Sequence, residues 1–191
     1  MRNALSLCKD YLKETVKPGD TVIDATVGNG YDTEFLISLV GETGKVYGFD
    51  IQKMAIDNTI NRLTDKGINL DNVYLNLASH SEMDKYVDEK IKGVVFNLGY
   101  LPKGNHAVMT TPETTIVAIE KALNLITDDG IIAVVIYHGG DSGFHERDEL
   151  IKYFERLDNK RYSVLTHNFI NQINYPPILV VIEKVIKERR S

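Results

Sequence analysis

The sequence has little of several features that define common protein classes. It contains a single cysteine, Cys8, which excludes an intrachain disulfide and any metal site built from several cysteines. No apolar run is long enough to span a bilayer, and the N-terminal segment lacks the apolar core and cleavage site of a signal peptide. That segment instead predicts an amphipathic helix. We expect a protein of the reducing cytoplasm that does not bind membranes.

An excess of positive charge is also missing. The formal net charge is −5 at pH 7, because 22 Lys and Arg residues face 27 Asp and Glu residues. Bulk charge therefore gives no support for nucleic-acid binding, although the basic C-terminal run EKVIKERRS could contact phosphate or simply be a solvated chain end. The length of 191 residues predicts one domain with a full core.

Short β-rich runs alternate with longer helical runs along most of the chain. The predicted strands are Thr21–Ala25, Lys45–Asp50, Asn72–Leu77, Gly93–Leu98 and Ile131–Ile136. The predicted helices are Tyr31–Val40, Lys53–Lys66, Ser81–Glu89, Pro112–Thr127 and Glu146–Arg156. Strands that are separated by helices need crossover connections, which predicts a parallel sheet with helices on both faces.

The end of the chain follows a different pattern. Two strand-like runs, RYSVLTHNFI and PPILVVIEKVI, are joined by NQINYPP without a helix between them, which predicts an antiparallel hairpin. A mostly parallel sheet that ends in such a hairpin is typical of class I methyltransferases. They have a Rossmann-like α/β fold with seven strands in the order 3-2-1-4-5-7-6. A symmetric dinucleotide-binding fold would continue with another crossover.

The segment TVIDATVGNGYDTEFL predicts a strand, a glycine turn and a helix that together contact a cofactor. The turn contains Gly28 and Gly30, but Thr33 stands where the dinucleotide fingerprint has its third glycine. Asp24 and Asp32 place carboxylates where a pyrophosphate would bind. These carboxylates suit S-adenosylmethionine (SAM), which carries a sulfonium and an amino group and no phosphate. Stabilisation of the helix dipole is a competing explanation for Asp32.

Two later strand ends complete the predicted cofactor site. Asp50 ends the second strand about 20 positions beyond the glycine turn, where an acidic residue accepts hydrogen bonds from ribose hydroxyls, and Gln52 lies beside the sugar and base. Ser79 and His80 follow the third strand, where an adenine would lie, unless they only belong to a loop that caps the next helix. NAD and SAM enzymes share the ribose contact, so Asp50 does not distinguish the two cofactors.

The fourth strand ends in FNLGYLPKGN, which is a candidate catalytic loop. Asn97 followed by Gly-Tyr-Leu-Pro resembles the Asn-Pro-Pro-Tyr loop of enzymes that methylate amino groups. The Asn97 side-chain oxygen or the adjacent carbonyl could accept hydrogen bonds from an amine, and Tyr100 could stack on the base that carries it. Alternatively, Asn97 caps the strand and Tyr100 packs on the loop. Methyl transfer from SAM depends mostly on orientation, so no strong base is required.

Further candidate substrate residues follow the fifth strand and lie in the hairpin connection. Tyr137 and His138 belong to the same edge of the sheet as the catalytic loop. Asn174 and Tyr175 are suited to contact a base or a phosphate, unless NQINYPP is a plain turn. The segment YHGGDSGFHERDEL lacks the H-E-x-x-H spacing of zinc sites, so we predict no metal site.

Taken together, these motifs resemble a known family through nearly the whole chain. It is a small bacterial family of class I SAM-dependent methyltransferases long labelled "putative rRNA methylase". The segments that carry the resemblance are, in order, DATVGNGYDT, FDIQ, SHSEMD, FNLGYLPKGN, TTPETTIVAIEKAL, VIYHGGDSG and QINYPPILVVIEK. Characterised members of that family methylate the amine of 5-aminomethyl-2-thiouridine at the wobble position of tRNA, which gives the 5-methylaminomethyl product.

The resemblance implies an enzyme that uses SAM and binds the anticodon stem-loop of tRNA. The SAM contacts that it implies are Gly28, Asn29, Asp32, Thr33, Asp50, Gln52, Ser79 and His80. The pocket for the modified uridine would be lined by Asn97, Tyr100 and Pro102, with Lys103 among the lysines that hold the RNA. Family members resemble dimers, so a homodimer is also implied.

Competing functions stay open at this point. A methyltransferase of ribosomal RNA, of a small amine or of a protein would share every cofactor residue. An NAD-dependent dehydrogenase is disfavoured by the missing third glycine, by Asp32 and by the terminal hairpin. A non-catalytic module that binds SAM or RNA is disfavoured by the retained Asn97-Leu98-Gly99-Tyr100 loop.

Overall fold

The computed structural model describes residues 3–99, 110–138 and 141–185. Within these ranges seven strands form one sheet, and they are β1 (Thr21–Asp24), β2 (Lys45–Asp50), β3 (Val73–Leu77), β4 (Ile91–Leu98), β5 (Ile126–Ile136), β6 (Tyr162–His167) and β7 (Ile178–Lys184). The helices are α1 (Ala4–Thr15), α2 (Tyr31–Val40), α3 (Lys53–Asp65), α4 (Pro112–Leu125) and α5 (Asp141–Glu155), and a short 3₁₀ helix spans His80–Lys85.

The strand order is β3-β2-β1-β4-β5-β7-β6. The first five strands pair in parallel, whereas β7 pairs antiparallel with both β5 and β6. The predicted fold class and strand order are therefore confirmed. The order reverses between β1 and β4, which makes the carboxyl ends of these two strands the expected ligand site of the sheet.

Two hydrophobic clusters cover the two faces of the sheet. One cluster contains Phe49 and Phe96 and includes apolar residues of α4 and α5. The other contains Leu12 and Leu36, so that α1 and α2 pack on the opposite face. Because both faces are buried, the central strands are almost continuous runs of apolar residues, as parallel sheets require.

Three predicted elements differ from the observed ones by four or more residues at one end. Helix α5 begins at Asp141 rather than at Glu146. The helix predicted at Ser81–Glu89 is a shorter 3₁₀ helix that begins at His80, because the Ser79 hydroxyl caps it by accepting a hydrogen bond from the Ser81 amide at 3.2 Å. Strand β5 begins at Ile126 rather than at Ile131.

The acidic start of β5 is an irregular part of the ladder, since Ile126 pairs with Ile91 of β4 and the register shifts before Gly93 pairs with Ile131. Asp129 pairs with Lys92 of β4 at 2.5 Å, and Asp128 pairs with Lys184 of β7 at 3.0 Å. The two carboxylates would otherwise favour a turn at this position. Among the helices in the described ranges, none combines the length and the hydropathy that crossing a membrane requires.

Cys8 provides a test of how α1 packs. It lies on the buried face of the helix, where burial raises the pKa of its thiol to about 12, and the nearby Asp32 carboxylate adds to the rise. Since the thiolate is the reactive form, we expect Cys8 to react with a thiol reagent at mildly alkaline pH only after the protein unfolds. Labelling rates measured with and without concentrated urea check this, and rapid labelling of the native protein would contradict the packing of α1.

Candidate active site

The turn between β1 and α2 is built on two glycines with left-handed backbone. Gly28 has a φ of 53° and Gly30 a φ of 76°. A Cβ atom on Gly30 would lie 2.7 Å from the Thr59 side chain of α3, so no larger residue fits there. The Thr59 hydroxyl also donates to the Gly28 carbonyl at 3.2 Å. The turn is thus held against α3 in a fixed shape that lets a ligand approach the backbone.

Asp50, at the carboxyl end of β2, supports the same turn. One carboxylate oxygen accepts a hydrogen bond from the Gly28 amide at 3.0 Å, and the other accepts one from the Gln52 amide at 2.9 Å. Burial raises the pKa of this carboxyl, and the hydrogen bonds oppose the rise. Each carboxylate oxygen can accept a second hydrogen bond. Asp50 therefore keeps acceptor capacity for the hydroxyls of a ribose.

Asp24 and Thr33 are enclosed where β1 meets the start of α2. Neither residue has exposed surface. The Thr33 hydroxyl donates to one oxygen of Asp24 at 2.6 Å, and the Thr26 amide donates to the other at 3.1 Å. Their side chains hold the end of β1 against the start of α2. A direct contact of Asp24 or Thr33 with the cofactor stays a prediction.

The buried Asp24 should make stability depend on pH. Burial raises the pKa of its carboxyl to about 7, and the Asp32 carboxylate adds to the rise. In the unfolded chain the ordinary pKa is about 3.9. The folded state therefore binds the proton more tightly. The Asp24 carboxyl makes its full contribution to the free energy of unfolding below about pH 4. This contribution falls as the pH rises to about 7, by at most about 1.4 kcal/mol per pH unit.

We expect Asp24→Asn to remove this dependence. The free energy of unfolding of both proteins, measured by urea titration at several pH values from about 4 to about 8, checks the prediction. The wild type should lose stability relative to the variant as the pH rises. A difference between the two proteins that stays constant with pH would contradict the raised pKa of Asp24.

Asn97 is held at the carboxyl end of β4 by two elements. Its backbone amide donates to the Thr26 hydroxyl at 2.7 Å, and its side-chain amide nitrogen donates to Asp32 at 2.8 Å. The side-chain oxygen of Asn97 is buried and has no hydrogen-bond partner among the residues that the structure describes. On the far side of Asp32, the Lys9 ammonium of α1 lies 3.5 Å from the second carboxylate oxygen. An oriented, unsatisfied acceptor thus lies at the point where the strand order reverses, and a bound donor would satisfy it.

Tyr137 lies close enough to Asp32 to feel its charge, and His138 packs against Tyr175. Tyr137 follows β5 and is 42% exposed. Burial raises the pKa of its phenol, and the charge of Asp32 adds to the rise. The His138 ring donates from Nε2 to the Pro176 carbonyl at 2.9 Å, and its centroid lies 6.2 Å from that of Tyr175.

Tyr175 itself has a φ of 45°, which is rare for a tyrosine, and its ring is 59% exposed. Asn174 beside it is also exposed. Both residues therefore present side chains to solvent at the hairpin connection. Three further predicted residues, Tyr100, Pro102 and Lys103, lie outside the described residues.

Ser79 and His80 lie at the start of the 3₁₀ helix that follows β3. Burial lowers the pKa of the His80 imidazole to about 4, so the ring is neutral at physiological pH. It packs edge-on against Phe96, with ring centroids 5.8 Å apart. The Ser79 hydroxyl is engaged with Ser81, whose hydroxyl is 2.8 Å away. These contacts shape the pocket wall, and a direct contact of either residue with adenine stays a prediction.

Sequence reasoning missed three residues that support the site. Thr26 follows the first strand closely and could have been found there, since a hydroxyl near a strand end is a local signal. Lys9 and Arg62 are distant in the chain and carry no local signal. Arg62 of α3 donates to the Asn29 carbonyl at 2.9 Å and lies 3.6 Å above the Tyr31 ring, so it fixes the glycine turn from outside.

Comparison with known proteins adds a second kind of evidence. The family model described as "Putative rRNA methylase" matches residues 46–183, and the model of protein-L-isoaspartate(D-aspartate) O-methyltransferase matches residues 3–81. A solved structure described as a putative rRNA methylase from Clostridium thermocellum is 54% identical, with a TM-score of 0.95, and the match covers 97% of this chain and 99% of that one.

A second solved structure is a putative methyltransferase from Streptococcus mutans in complex with SAH. It is 39% identical, with a TM-score of 0.88, and the match covers 97% of this chain and 99% of that one. Among curated proteins, the chloroplastic tRNA (mnm(5)s(2)U34)-methyltransferase of Arabidopsis thaliana is 38% identical over 152 residues. That match covers 74% of this chain and 55% of the relative, so the chain spans about half the length of this relative.

Proposed function

The chain belongs to the "Putative rRNA methylase" family, and we propose that it is a SAM-dependent methyltransferase whose substrate is the amine of 5-aminomethyl-2-thiouridine at the tRNA wobble position. The observation that carries the proposal is the unpartnered side-chain oxygen of Asn97 at the edge of the sheet where the strand order reverses. The amine substrate is further supported by the chloroplastic relative, whose name specifies this tRNA modification.

The cofactor assignment rests on the charge and shape of the glycine turn. SAM supplies a methyl group on a positively charged sulfur. Asp50 would accept hydrogen bonds from the ribose hydroxyls while it keeps its contacts to Gly28 and Gln52. Asp32, at the start of α2, adds negative charge at a position where a pyrophosphate would be repelled and a cation attracted. The negative charge and the hydrogen-bond acceptors around this turn therefore fit SAM better than a dinucleotide.

The proposed role of Asn97 is to orient the amine. An amine nitrogen needs a free lone pair to attack, and a hydrogen bond from its N–H to the Asn97 side-chain oxygen would direct that lone pair. Correct orientation of two reactants can lower the barrier by about 7–11 kcal/mol. The chain's contribution to methyl transfer is thus mainly to position the amine, and a strong general base is not needed.

The RNA would be bound mainly by stacking and a few cations. Tyr137, just after β5, and Tyr175, in the hairpin connection, are exposed, and their rings can stack on unpaired bases of an anticodon loop. This mode of binding does not depend on bulk positive charge, which suits a chain with a net charge of −5. Contacts from Tyr100, Pro102 and Lys103, the anticodon stem-loop as the bound element and a homodimer stay predictions.

The proposal is tested on bulk tRNA from a strain that lacks this gene. The tRNA is incubated with the purified protein and SAM, digested to nucleosides and analysed by mass spectrometry, with ribosomal RNA and small amines in parallel. We expect 5-aminomethyl-2-thiouridine alone to gain the mass of one CH₂ unit, because a methyl group replaces a hydrogen of its amine. Methylation of ribosomal RNA or of a small amine instead, with SAM binding confirmed by calorimetry, would keep the cofactor and overturn the substrate.

A further inference from the structure

Three side chains from three separate elements form a continuous polar chain at the site. Lys9 comes from α1, Asp32 from the first turn of α2, and Asn97 from the end of β4. The Lys9 ammonium lies 3.5 Å from one oxygen of Asp32, and the Asn97 amide nitrogen donates to the other oxygen at 2.8 Å. The Asn97 oxygen, at the end of this polar chain, is buried and has no partner within residues 3–99, 110–138 and 141–185.

The Asp32 carboxylate determines which way the Asn97 amide faces. An asparagine amide carries a donor nitrogen on one side and an acceptor oxygen on the other, and its neighbours select the orientation. A carboxylate can only accept hydrogen bonds, so Asp32 attracts the nitrogen of Asn97 and repels its oxygen. The opposite orientation would place two oxygens in contact. The Asn97 oxygen is therefore directed away from Asp32 and kept available for a donor.

We propose that Asp32 is a positioning residue for amine methylation, acting through the orientation of the Asn97 amide, and that Lys9 is its counter-ion. The inference rests on the proposed function, because an oriented acceptor matters only if the substrate presents an N–H group. It assigns Asp32 a role in the transfer step in addition to any effect of its charge on cofactor binding.

Lys9 has a smaller, supporting role. The side chain of Lys9 is 36% exposed and that of Asp32 is 18% exposed, so solvent weakens their attraction. The ion pair nevertheless offsets the repulsion between the carboxyl groups of Asp32 and Asp24. These two groups are close enough for the charge of Asp32 to raise the pKa of Asp24. Through this pair, α1 stabilises the carboxylate that orients Asn97.

Exchanging the side chains of Asp32 and Asn97 provides the sharpest test. In Asn97→Asp two carboxylates face each other, and we expect kcat to fall roughly 10²-fold or more. In the double variant Asp32→Asn with Asn97→Asp, the new amide at position 32 can donate to the new carboxylate, whose second oxygen again serves as the acceptor. With SAM at saturating concentration, we expect the exchange to recover at least about tenfold of the lost kcat.

If Asp32 acted only by binding the cofactor, the two substitutions would be independent. At saturating SAM the double variant would then be no faster than Asn97→Asp alone. That result would overturn the positioning role. The comparison requires a working methylation assay and is therefore paired with a measurement that does not.

The second measurement follows the Asn97 side-chain NH₂ signals by NMR in the protein with SAM and without RNA. We expect Asp32→Ala to shift these signals strongly and Lys9→Met to shift them slightly. Lys13→Met is the matched control, because Lys9 and Lys13 lie 5.1 and 5.8 Å from the Phe35 ring on the same helix. It should leave the signals unchanged. Signals that are insensitive to Asp32→Ala would overturn the inference, whatever substrate the enzyme methylates.

Discussion

Replacing Asn97 by alanine should lower kcat on the tRNA substrate by roughly 10²–10³-fold, the range found when a single oriented polar group is removed from an active site. SAM affinity should stay unchanged. The physical reason is that the substitution removes the side-chain oxygen, which is the proposed acceptor for the amine. The hydrogen bond from the backbone amide of residue 97 to the Thr26 hydroxyl is kept. Single-turnover rates and calorimetric SAM binding measure the two quantities separately.

Asn76→Ala is the matched control for this prediction. Asn76 is the penultimate residue of β3, as Asn97 is of β4, and its amide nitrogen donates to the carbonyls of Gly48 and Tyr74. The control removes amide hydrogen bonds at the same edge of the sheet but away from the end of β4, so its kcat should change little. Normal turnover of Asn97→Ala would remove this residue from the catalytic step.

Replacing Asp50 by alanine should weaken SAM binding by about 1–3 kcal/mol, which is a rise of roughly 5–150-fold in the dissociation constant. Two effects combine in this substitution. The acceptor for the ribose hydroxyls is lost, and the amides of Gly28 and Gln52 lose the carboxylate that anchors the turn. Isothermal titration calorimetry with SAM measures the change directly and needs no RNA.

Asp57→Ala is the control for the Asp50 variant. Asp57 lies on α3, where it forms an exposed ion pair with Lys53 at 2.7 Å, and such pairs contribute little to stability. The variant removes the same charge close to the site without touching the turn. An equal loss of affinity in both variants would show that the effect is one of net charge, and an unchanged affinity in Asp50→Ala would exclude Asp50 from the cofactor site.

Much of the fold was predictable because its signals are local. The predicted strand Lys45–Asp50 and helix Tyr31–Val40 match the observed bounds. Alternation of strands and helices predicts parallel pairing, and the missing helix before β7 predicts the terminal hairpin. The boundary error at Ile126–Gly130 falls where the ladder is irregular. Ile126 pairs with Ile91 of β4, and the register shifts before Gly93 pairs with Ile131, which depends on contacts distant in the chain.

The site was predictable in position but less so in detail. Strand ends and the glycine turn located Asp50 and Asn97, because parallel strands bring their carboxyl ends to one edge of the sheet. The same pattern could not show that Asp24 and Thr33 have no exposed surface. Burial depends on how α2 packs against β1, and the direction of a side chain at a strand end is not visible in the spacing of residues.

The sequence by itself determined the parallel sheet, the hairpin that ends it, the glycine turn and the family, since each depends on residues that are close in the chain or on motifs in a fixed order. Only the tertiary structure decided which carboxylate supports the turn, which is enclosed and which orients Asn97. It also brought Lys9 to Asp32 and Arg62 to Asn29. These contacts join residues that are distant in the chain. Lys9 reaches Asp32 because α1 and α2 pack on the same face of the sheet, and Arg62 reaches Asn29 because α3 packs against the glycine turn.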